Sequence, residues 1–211
     1  VISIRVHNRF SSTGMPHFCN RGVWGIDCYV GTGTAREYVG KMMQTFATDP
    51  NYNEGTIDLP AGIKEVMINL PLYGGIEKME IGFPKGARIG APTKRSVEPI
   101  AFYGSSITNG ACASRPGMTY ESMVSRRLGC DFHNLGFGGS AKAELEIANY
   151  IAGLEMSAFV YDYDYNARDA AYLLETHERM FNIIREQHPE LPIIIITRPD
   201  IIPSDDRDSR F

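Results

Sequence analysis

The first 92 residues alternate short runs of β-forming residues with turn residues. These runs lie at Ile2–Val6, Asp27–Val30, Glu65–Leu70 and Lys78–Ile81. A helical period is visible only from Ala35 to Phe46, and it is weak. Because Gly, Pro, Asn and Ser separate the runs, the pattern predicts an antiparallel β domain of the jelly-roll or sandwich type.

The pattern changes after Pro99 to short apolar strands that alternate with helical periods. Strands are predicted at Ile100–Tyr103, Phe132–Leu135, Ala158–Tyr163 and Pro192–Thr197. The helical periods include Tyr120, Met123, Val124 and Leu128 before Gly129, then Leu145, Ala148 and Ile151, then Leu173, Met180 and Ile184. This alternation predicts an α/β domain with a parallel sheet. A polar segment with prolines near residue 95 predicts two domains, residues 1–95 and 96–211.

Composition excludes several classes of protein. With 211 residues, of which 43% are hydrophobic and 22% charged, the chain can bury a sizeable core, and a disulfide scaffold or coiled coil is excluded. The net charge is -4 and no basic run is present, so nucleic-acid binding is not expected. The longest apolar stretch, near Ile193–Ile196, is far shorter than the roughly 20 residues of a membrane span, and we expect a soluble protein. Four scattered cysteines without a C-x-x-C pair indicate neither a zinc site nor a disulfide framework.

Both ends of the chain look like cuts in a longer protein. The chain begins at Val1 without an initiator Met or signal peptide, and it ends in the polar run Ser204–Arg210 before Phe211. We therefore expect the parallel sheet to continue past Phe211.

Polar and small residues follow three consecutive predicted strands. The first strand is followed by Gly104-Ser105-Ser106-Ile107-Thr108, the second runs into Asn134–Gly139, and the third is followed by Asp164–Ala167. In open parallel sheets ligands bind outside the carboxyl ends of the strands. These loops offer a hydroxyl, a bare backbone amide and a carboxamide, which are the groups that acyl transfer needs for a nucleophile and an oxyanion site.

Each of these features also has an ordinary structural interpretation. A Gly-Ser-Ser turn is common after any strand, and Gly136–Gly139 is compatible with a simple tight turn. Asn166 before a helical run is a common N-cap. The three features together, in order and at equivalent positions of the sheet, favour a catalytic site.

The combination resembles the SGNH (GDSL-type) hydrolases, whose four blocks supply a Ser, a Gly, an Asn and a His. The resemblance implies that Ser106 is the nucleophile, with Ser105 where the family often has Asp. Gly139 of the N-x-G-x-x-G segment would give an oxyanion amide, and Asn166 would give the oxyanion side chain, although the third block lacks its usual Gly and Asp. The backbone amide of Ser106 would be a third donor. The implied fold is a flavodoxin-like parallel sheet with helices on both faces, incomplete at its C-terminus.

The N-terminal half resembles the β domain of one bacterial SGNH esterase group. Gly25-Ile26-Asp27-Cys28-Tyr29 is similar to its G-x-D-L-Y motif, with Cys28 in place of Leu. The segments Leu70–Tyr73 and Ala113–Met118 are also similar to that group. For Asp27 we favour a structural role, in which its carboxylate accepts hydrogen bonds from local backbone amides.

The family's fourth block, a D-x-x-H segment that carries the general base, has no match in the chain. The five histidines are His7, His17, His133, His177 and His188. We expect all of them to be structural or exposed, and we expect the base to come from beyond Phe211.

Two other functions are open at this point. Gly136-Phe137-Gly138-Gly139-Ser140-Ala141 fits the G-x-G-x-x-A fingerprint of a dinucleotide-binding oxidoreductase, although it follows the second visible strand rather than the first. A non-catalytic protein could bind glycans through an aromatic face made of Phe18, Trp24, Tyr29, Tyr52 and Tyr73.

The favoured function is a serine esterase that cleaves small acyl esters, including acetyl esters of carbohydrates. Its catalytic residues are Ser106, Gly139 and Asn166. No metal or organic cofactor is implied, and the expected partner is a small-molecule or carbohydrate ester.

Overall fold

The computed structural model describes residues 1–9, 15–42 and 51–197. The run Ser204–Arg210 and residues 43–46 of the weak helical period lie outside them. The chain divides into two compact units. The first comprises Val1–Arg95 with Gly110–Gly129, and the second comprises Ser96–Asn109 with the described part of Cys130–Phe211. This division differs from a single cut near residue 95, because residues 110–129 pack with the N-terminal half.

The first unit is built on two antiparallel three-stranded sheets. One has the order β4-β1-β6, with β1 at Ile2–His7, β4 at Tyr52–Ile57 and β6 at Lys78–Gly82. The other has the order β3-β2-β5, with β2 at Ile26–Val30, β3 at Glu37–Met42 and β5 at Val66–Asn69. Side chains of both sheets share one core, which contains Ile2, Ile4, Val6, Ile26, Cys28, Met42 and Ile57. The predicted antiparallel β architecture is confirmed.

The weak helical period from Ala35 does not correspond to a helix in the described residues, because Glu37–Met42 is strand β3. Its register against β2 shifts between Cys28 and Tyr29, and this irregularity disturbs the alternation of buried and exposed side chains. Of its six residues only Met42 is buried, so the apolar positions do not mark a helix face.

The second unit contains a parallel four-stranded sheet of order β10-β9-β7-β8. Its strands are β7 at Ile100–Gly104, β8 at Phe132–Gly136, β9 at Ala158–Asp162 and β10 at Ile193–Ile195. Among the described residues, the helices are α1 at Asn20–Val23, α2 at Ser106–Asn109, α3 at Tyr120–Leu128, α4 at Leu145–Ala152 and α5 at Ala170–Gln187. Helices α4 and α5 bury Ile151, Met180 and Ile184 in one core with the strand residues Tyr103 and Tyr161. The predicted α/β fold is confirmed.

Helix α3 forms where the sequence predicts it, but it buries a polar face. Thr119 caps its first turn by accepting a hydrogen bond from Ser122 N at 3.2 Å, and Gly129 ends it with a φ of 68°. Glu121 is fully buried, whereas the apolar Leu128 is 62% exposed. The spacing therefore identified the helix but not its buried side.

Candidate active site

The three predicted loops meet at the carboxyl edge of the parallel sheet. Strand β7 lies between β8 and β9, and its last residue, Gly104, is in register with Gly136 on one side and Asp162 on the other. Two backbone hydrogen bonds extend this pairing beyond the strands, from Phe137 N to Gly104 O at 2.9 Å and from Ser105 N to Asp162 O at 3.1 Å. Because neighbouring strands are about 4.8 Å apart, the residues that follow them are neighbours.

Two adjacent serines occupy different environments in the turn after β7. Ser105 is 1% exposed, and its Oγ accepts a hydrogen bond from Ile107 N at 3.2 Å. Ser106 is partly exposed and begins the single turn of α2. The hydroxyl of Ser105 therefore stabilises the turn, and Ser106 is the serine that a substrate could reach.

This turn requires glycine at position 104. A Cβ there would lie 2.2 Å from both Asp162 O and Thr108 Oγ1. Thr108 donates to the buried Asp162 carboxylate at 3.4 Å, while its carbonyl accepts from Asn134 Nδ2 at 2.8 Å. Asn134 Oδ1 in turn accepts from Gly136 N at 2.9 Å. Asp162 and Asn134 thus tie α2 to both neighbouring strands, a role that the sequence pattern does not indicate.

The loop after β8 presents backbone amides at the surface. Gly139 is exposed and has a φ of 70°, in the region that glycine adopts without strain. Phe137 O accepts from Ser140 N at 3.0 Å and from Ala141 N at 3.3 Å, which closes a turn around Gly139. Within the part of the chain that the structure describes, the N–H of Gly139 has no hydrogen-bond partner.

Asn166 is tied to this same loop. It ends the short 3₁₀ turn Asp164–Asn166, and its Nδ2 donates to Phe137 O at 3.0 Å. The N-cap of α5 is Asp169, which accepts from Tyr172 N at 2.7 Å, so the alternative in which Asn166 caps the helix does not hold. One of the two amide hydrogens of Asn166 remains for a ligand.

A layer of buried aromatic rings lies beneath these loops. Tyr161 and Tyr163 stack with ring centroids 5.1 Å apart, and the ring of His177 stacks on Tyr161 at 4.3 Å. Burial raises the pKa of Tyr161 and lowers that of His177, although the carboxylate of Asp164 opposes the second shift. Tyr161 and Tyr163 belong to the hydrophobic core of the second unit.

Three histidines belong to the second unit, and each has an identified place in the fold. His133 pairs with Ala101 three residues before the end of β8, or about 10 Å along the strand from the carboxyl edge. His177 lies in the aromatic layer, and His188, at the end of α5, has its Nε2 2.8 Å from Ala152 O at the end of α4. We assign none of them as the general base.

The G-x-D-x-Y segment lies in the first unit. Asp27 is fully buried, and its carboxylate accepts from Asn69 Nδ2 at 2.8 Å and from Gly117 N at 3.0 and 3.1 Å. Arg115 Nε lies 3.0 Å from Asp27 Oδ2. The amide is 90 residues away in sequence, so the expectation of local backbone amides is wrong. Asp27 instead anchors residues 110–129 to strand β2.

Burial raises the pKa of the Asp27 carboxyl. The hydrogen bonds from Asn69 and Gly117 and the charges of Arg115 and Arg126 act in the opposite direction. Gly117 is required at this contact, since a Cβ would lie 2.8 Å from Asp27 Oδ2.

The alternative functions find little support in the geometry. A dinucleotide fingerprint opens directly into a helix, but α4 begins only at Leu145, and β8 is an edge strand of the described sheet. Of the proposed glycan-stacking aromatics, Phe18, Trp24 and Tyr29 are buried. Among the described residues, no group of three His, Cys, Asp or Glu could hold a metal ion, and no helix is both long and apolar enough to cross a membrane.

Two family models match the chain. Residues 97–204 match the GDSL-like lipase/acylhydrolase family, and residues 1–89 match the N-terminus of SGNH-hydrolase-type esterases. The chain therefore belongs to the GDSL-like lipase/acylhydrolase family, and the resemblance found in the sequence is confirmed.

Two solved structures are similar to this chain. A Bacteroides ovatus ATCC 8483 protein assigned as a GDSL-like lipase is 30% identical, with a TM-score of 0.81, and the match covers 92% of this chain and 57% of that one. Salicylyl-acyltransferase SsfX3, from a tetracycline biosynthetic pathway, is 20% identical to this chain, with a TM-score of 0.68. The match covers 97% of this chain and 58% of that one, and at this identity it supports the fold alone. The chain thus spans less than two thirds of these relatives. None of the curated proteins is a significant match.

Proposed function

We propose that this chain forms the nucleophile and oxyanion site of a serine esterase that cleaves small acyl esters. Acetyl esters of carbohydrates are the first substrate class to test. The supporting observation is that Ser106, the unpartnered N–H of Gly139 and the amide of Asn166 come from three adjacent loops at one edge of the sheet. Membership of a lipase/acylhydrolase family supports the reaction type.

In the proposed reaction, Ser106 Oγ attacks the ester carbonyl carbon and transfers its proton to a general base. The carbonyl oxygen becomes an oxyanion, which accepts hydrogen bonds from Gly139 N–H and the free amide hydrogen of Asn166. Collapse of this intermediate expels the alcohol, which takes the proton back from the base. A water molecule, activated by the same base, then hydrolyses the acyl-serine.

We place the general base outside residues 1–211. A serine hydroxyl needs a base within about 2.6–3.2 Å, and the sequence has no D-x-x-H segment. A polypeptide of residues 1–211 should therefore accelerate ester hydrolysis only about 10³- to 10⁴-fold over water, as the oxyanion groups alone allow. Turnover at the ordinary enzyme level of about 10 s⁻¹ would mean that a base lies within this chain.

The proposal as a whole is tested with the natural full-length protein. Hydrolysis of p-nitrophenyl esters from acetyl to decanoyl should fall with acyl length, and acetylated xylo-oligosaccharides should release acetate. A fluorophosphonate should label a single serine, identified by peptide mass spectrometry as Ser106. Labelling of another serine, or no hydrolysis of any ester, would refute the proposal.

A further inference from the structure

Lys142 and Phe137 bind different groups of Asn166. Its Nζ donates a hydrogen bond to the backbone carbonyl of Asn166, while Asn166 Nδ2 donates to Phe137 O at 3.0 Å. Phe137 and Lys142 both belong to the connection between β8 and α4. One connection therefore holds both the backbone and the side chain of Asn166.

Lys142 is itself fixed by buried hydrogen bonds. Its carbonyl accepts from the hydroxyl of Tyr172 at 2.7 Å, and the next amide, Ala143 N, donates to the hydroxyl of Tyr103 at 2.8 Å. Arg179 donates to Ala143 O at 3.4 Å. Ala143 is fully buried with a φ of 52°, a left-handed conformation that a non-glycine residue keeps only when its surroundings impose it. The backbone from which the Lys142 side chain extends is thus held in place by the fold.

The turn that carries Asn166 needs such an external contact. Asp164–Asn166 is a single 3₁₀ turn, closed by Asn166 N to Tyr163 O at 2.9 Å and Ala167 N to Asp164 O at 3.1 Å. A single turn of this kind has few restraints of its own. An oxyanion donor must be held at its position before the reaction, because the benefit of such a donor depends on its not having to reorganise.

We propose that Lys142 is a positioning residue for the oxyanion site, which orients the Asn166 amide by binding the Asn166 carbonyl. This inference rests on the proposed function of Asn166. Lys142 acts through Asn166 and does not contact the substrate. Its bond and that of Phe137 O together fix the direction of the remaining amide hydrogen.

The first test replaces Lys142 in the natural full-length protein. Lys142→Met keeps the aliphatic stem but removes the donor, so kcat should fall about 10- to 100-fold while KM changes less than about 3-fold, as expected for a misplaced catalytic group. Lys142→Arg keeps a donor and should recover most of kcat. Lys85→Met, at an exposed lysine of the first unit, is the matched control. Unchanged kcat in Lys142→Met, or an equal loss in Lys142→Arg, would overturn the proposal.

A double-mutant cycle distinguishes positioning from a direct effect of the charge. If Lys142 acts through the Asn166 amide, Lys142→Met should change kcat less than about 2-fold when Asn166→Ala is already present. If the two losses multiply, Lys142 acts independently of the amide and the proposal fails.

A crystal structure separates this inference from the esterase proposal. In Lys142→Met, Asn166 Nδ2 should no longer lie within 3.5 Å of Phe137 O, whether or not the protein is an esterase. An unchanged Asn166 in that structure would overturn the positioning role even if Ser106 is confirmed as the nucleophile. Conversely, a displaced Asn166 in a protein that hydrolyses no ester would refute only the proposed function.

Discussion

The polar groups around Asp27 and those at the carboxyl edge of the parallel sheet differ in how many of their possible hydrogen bonds they form within the protein. In the first unit, the Asp27 carboxylate is fully buried and contacts Asn69, Gly117 and Arg115. In the second unit, Gly139 N–H has no partner among the described residues, and Asn166 uses one of its two amide hydrogens.

This difference separates structural polar groups from candidate functional ones. A buried carboxylate must be paired, because an unpaired buried charge is costly. The contacts of Asp27 are therefore explained by the stability of the fold and require no functional role. An exposed donor that the fold holds still but does not use is available to a ligand. Mutations in the first region should therefore change stability, and mutations in the second should change catalysis.

The largest expected effect is that of Ser106→Ala in the natural full-length protein. If Ser106 is the nucleophile, its removal should lower kcat on esters by about 10⁶-fold, the size of the effect in a serine protease. The partly exposed position of Ser106 predicts little change in thermal unfolding. Steady-state kinetics and a melting curve measure the two effects, and retained turnover would exclude Ser106 from the mechanism.

Ser105→Ala is the matched control for that variant. It removes the acceptor for Ile107 N, so it should lower the free energy of unfolding by about 1 kcal/mol. Fluorophosphonate should still label Ser106. Loss of labelling in a folded Ser105→Ala protein would indicate that the two serines have been assigned the wrong roles.

The second prediction concerns Asp27→Ala. This change removes the ion pair with Arg115 and leaves Gly117 N–H buried without its acceptor, and the free energy of unfolding should fall by about 3–5 kcal/mol. Urea denaturation measures it, and Asp27→Asn, which keeps the shape and an acceptor, should lose less. A loss below about 1 kcal/mol in Asp27→Ala would contradict the anchoring role.

Asn166→Ala should act on catalysis instead. Loss of one oxyanion donor lowers kcat by about 10²- to 10³-fold, with a much smaller effect on KM. The control is Asp169→Ala, which removes the N-cap of α5 and should cost about 1 kcal/mol of stability without a comparable loss of kcat. Equal effects of both variants on kcat would indicate that Asn166 acts only through the fold.

The smallest expected effect is a pH dependence due to Asp27. Because its pKa is raised in the folded state, the folded protein binds this proton more tightly than the unfolded chain. The resulting stabilisation is fully present below the ordinary aspartate pKa and is lost as the pH rises through the raised value. The stability of the natural protein relative to Asp27→Asn should thus decrease with pH over this window, and the opposite slope in urea titrations would contradict the assignment.

Several features of the second unit were predictable from sequence. The parallel strands and the position of Ser106 follow from short apolar runs that end in Gly104-Ser105-Ser106 and in the Gly136–Gly139 segment. Such signals are local, because the apolar residues that predict a strand and the glycines that predict a turn lie within the predicted segment itself. The pairing of carboxyl ends at one edge then follows from the parallel arrangement.

Two missed features depend on contacts between residues distant in sequence. Lys142 and Asn166 are 24 residues apart, and Asp27 and Gly117 are 90 apart. Helix α3 shows the same limit, since its apolar spacing predicts a helix but its buried side is set by Glu121, Ser122 and Ser125 packing within the first unit.

The sequence by itself determined the class of each half and the approximate strand ends, because periodicity and turn chemistry are properties of neighbouring residues. Its resemblance to the SGNH hydrolases implied the candidate residues Ser106, Gly139 and Asn166. The tertiary structure decided that Asp27 holds a segment 90 residues away and that Lys142 binds Asn166. The physical reason is that a hydrogen-bond donor finds its acceptor only when packing and register bring the two together, and the pattern along the chain does not contain that geometry.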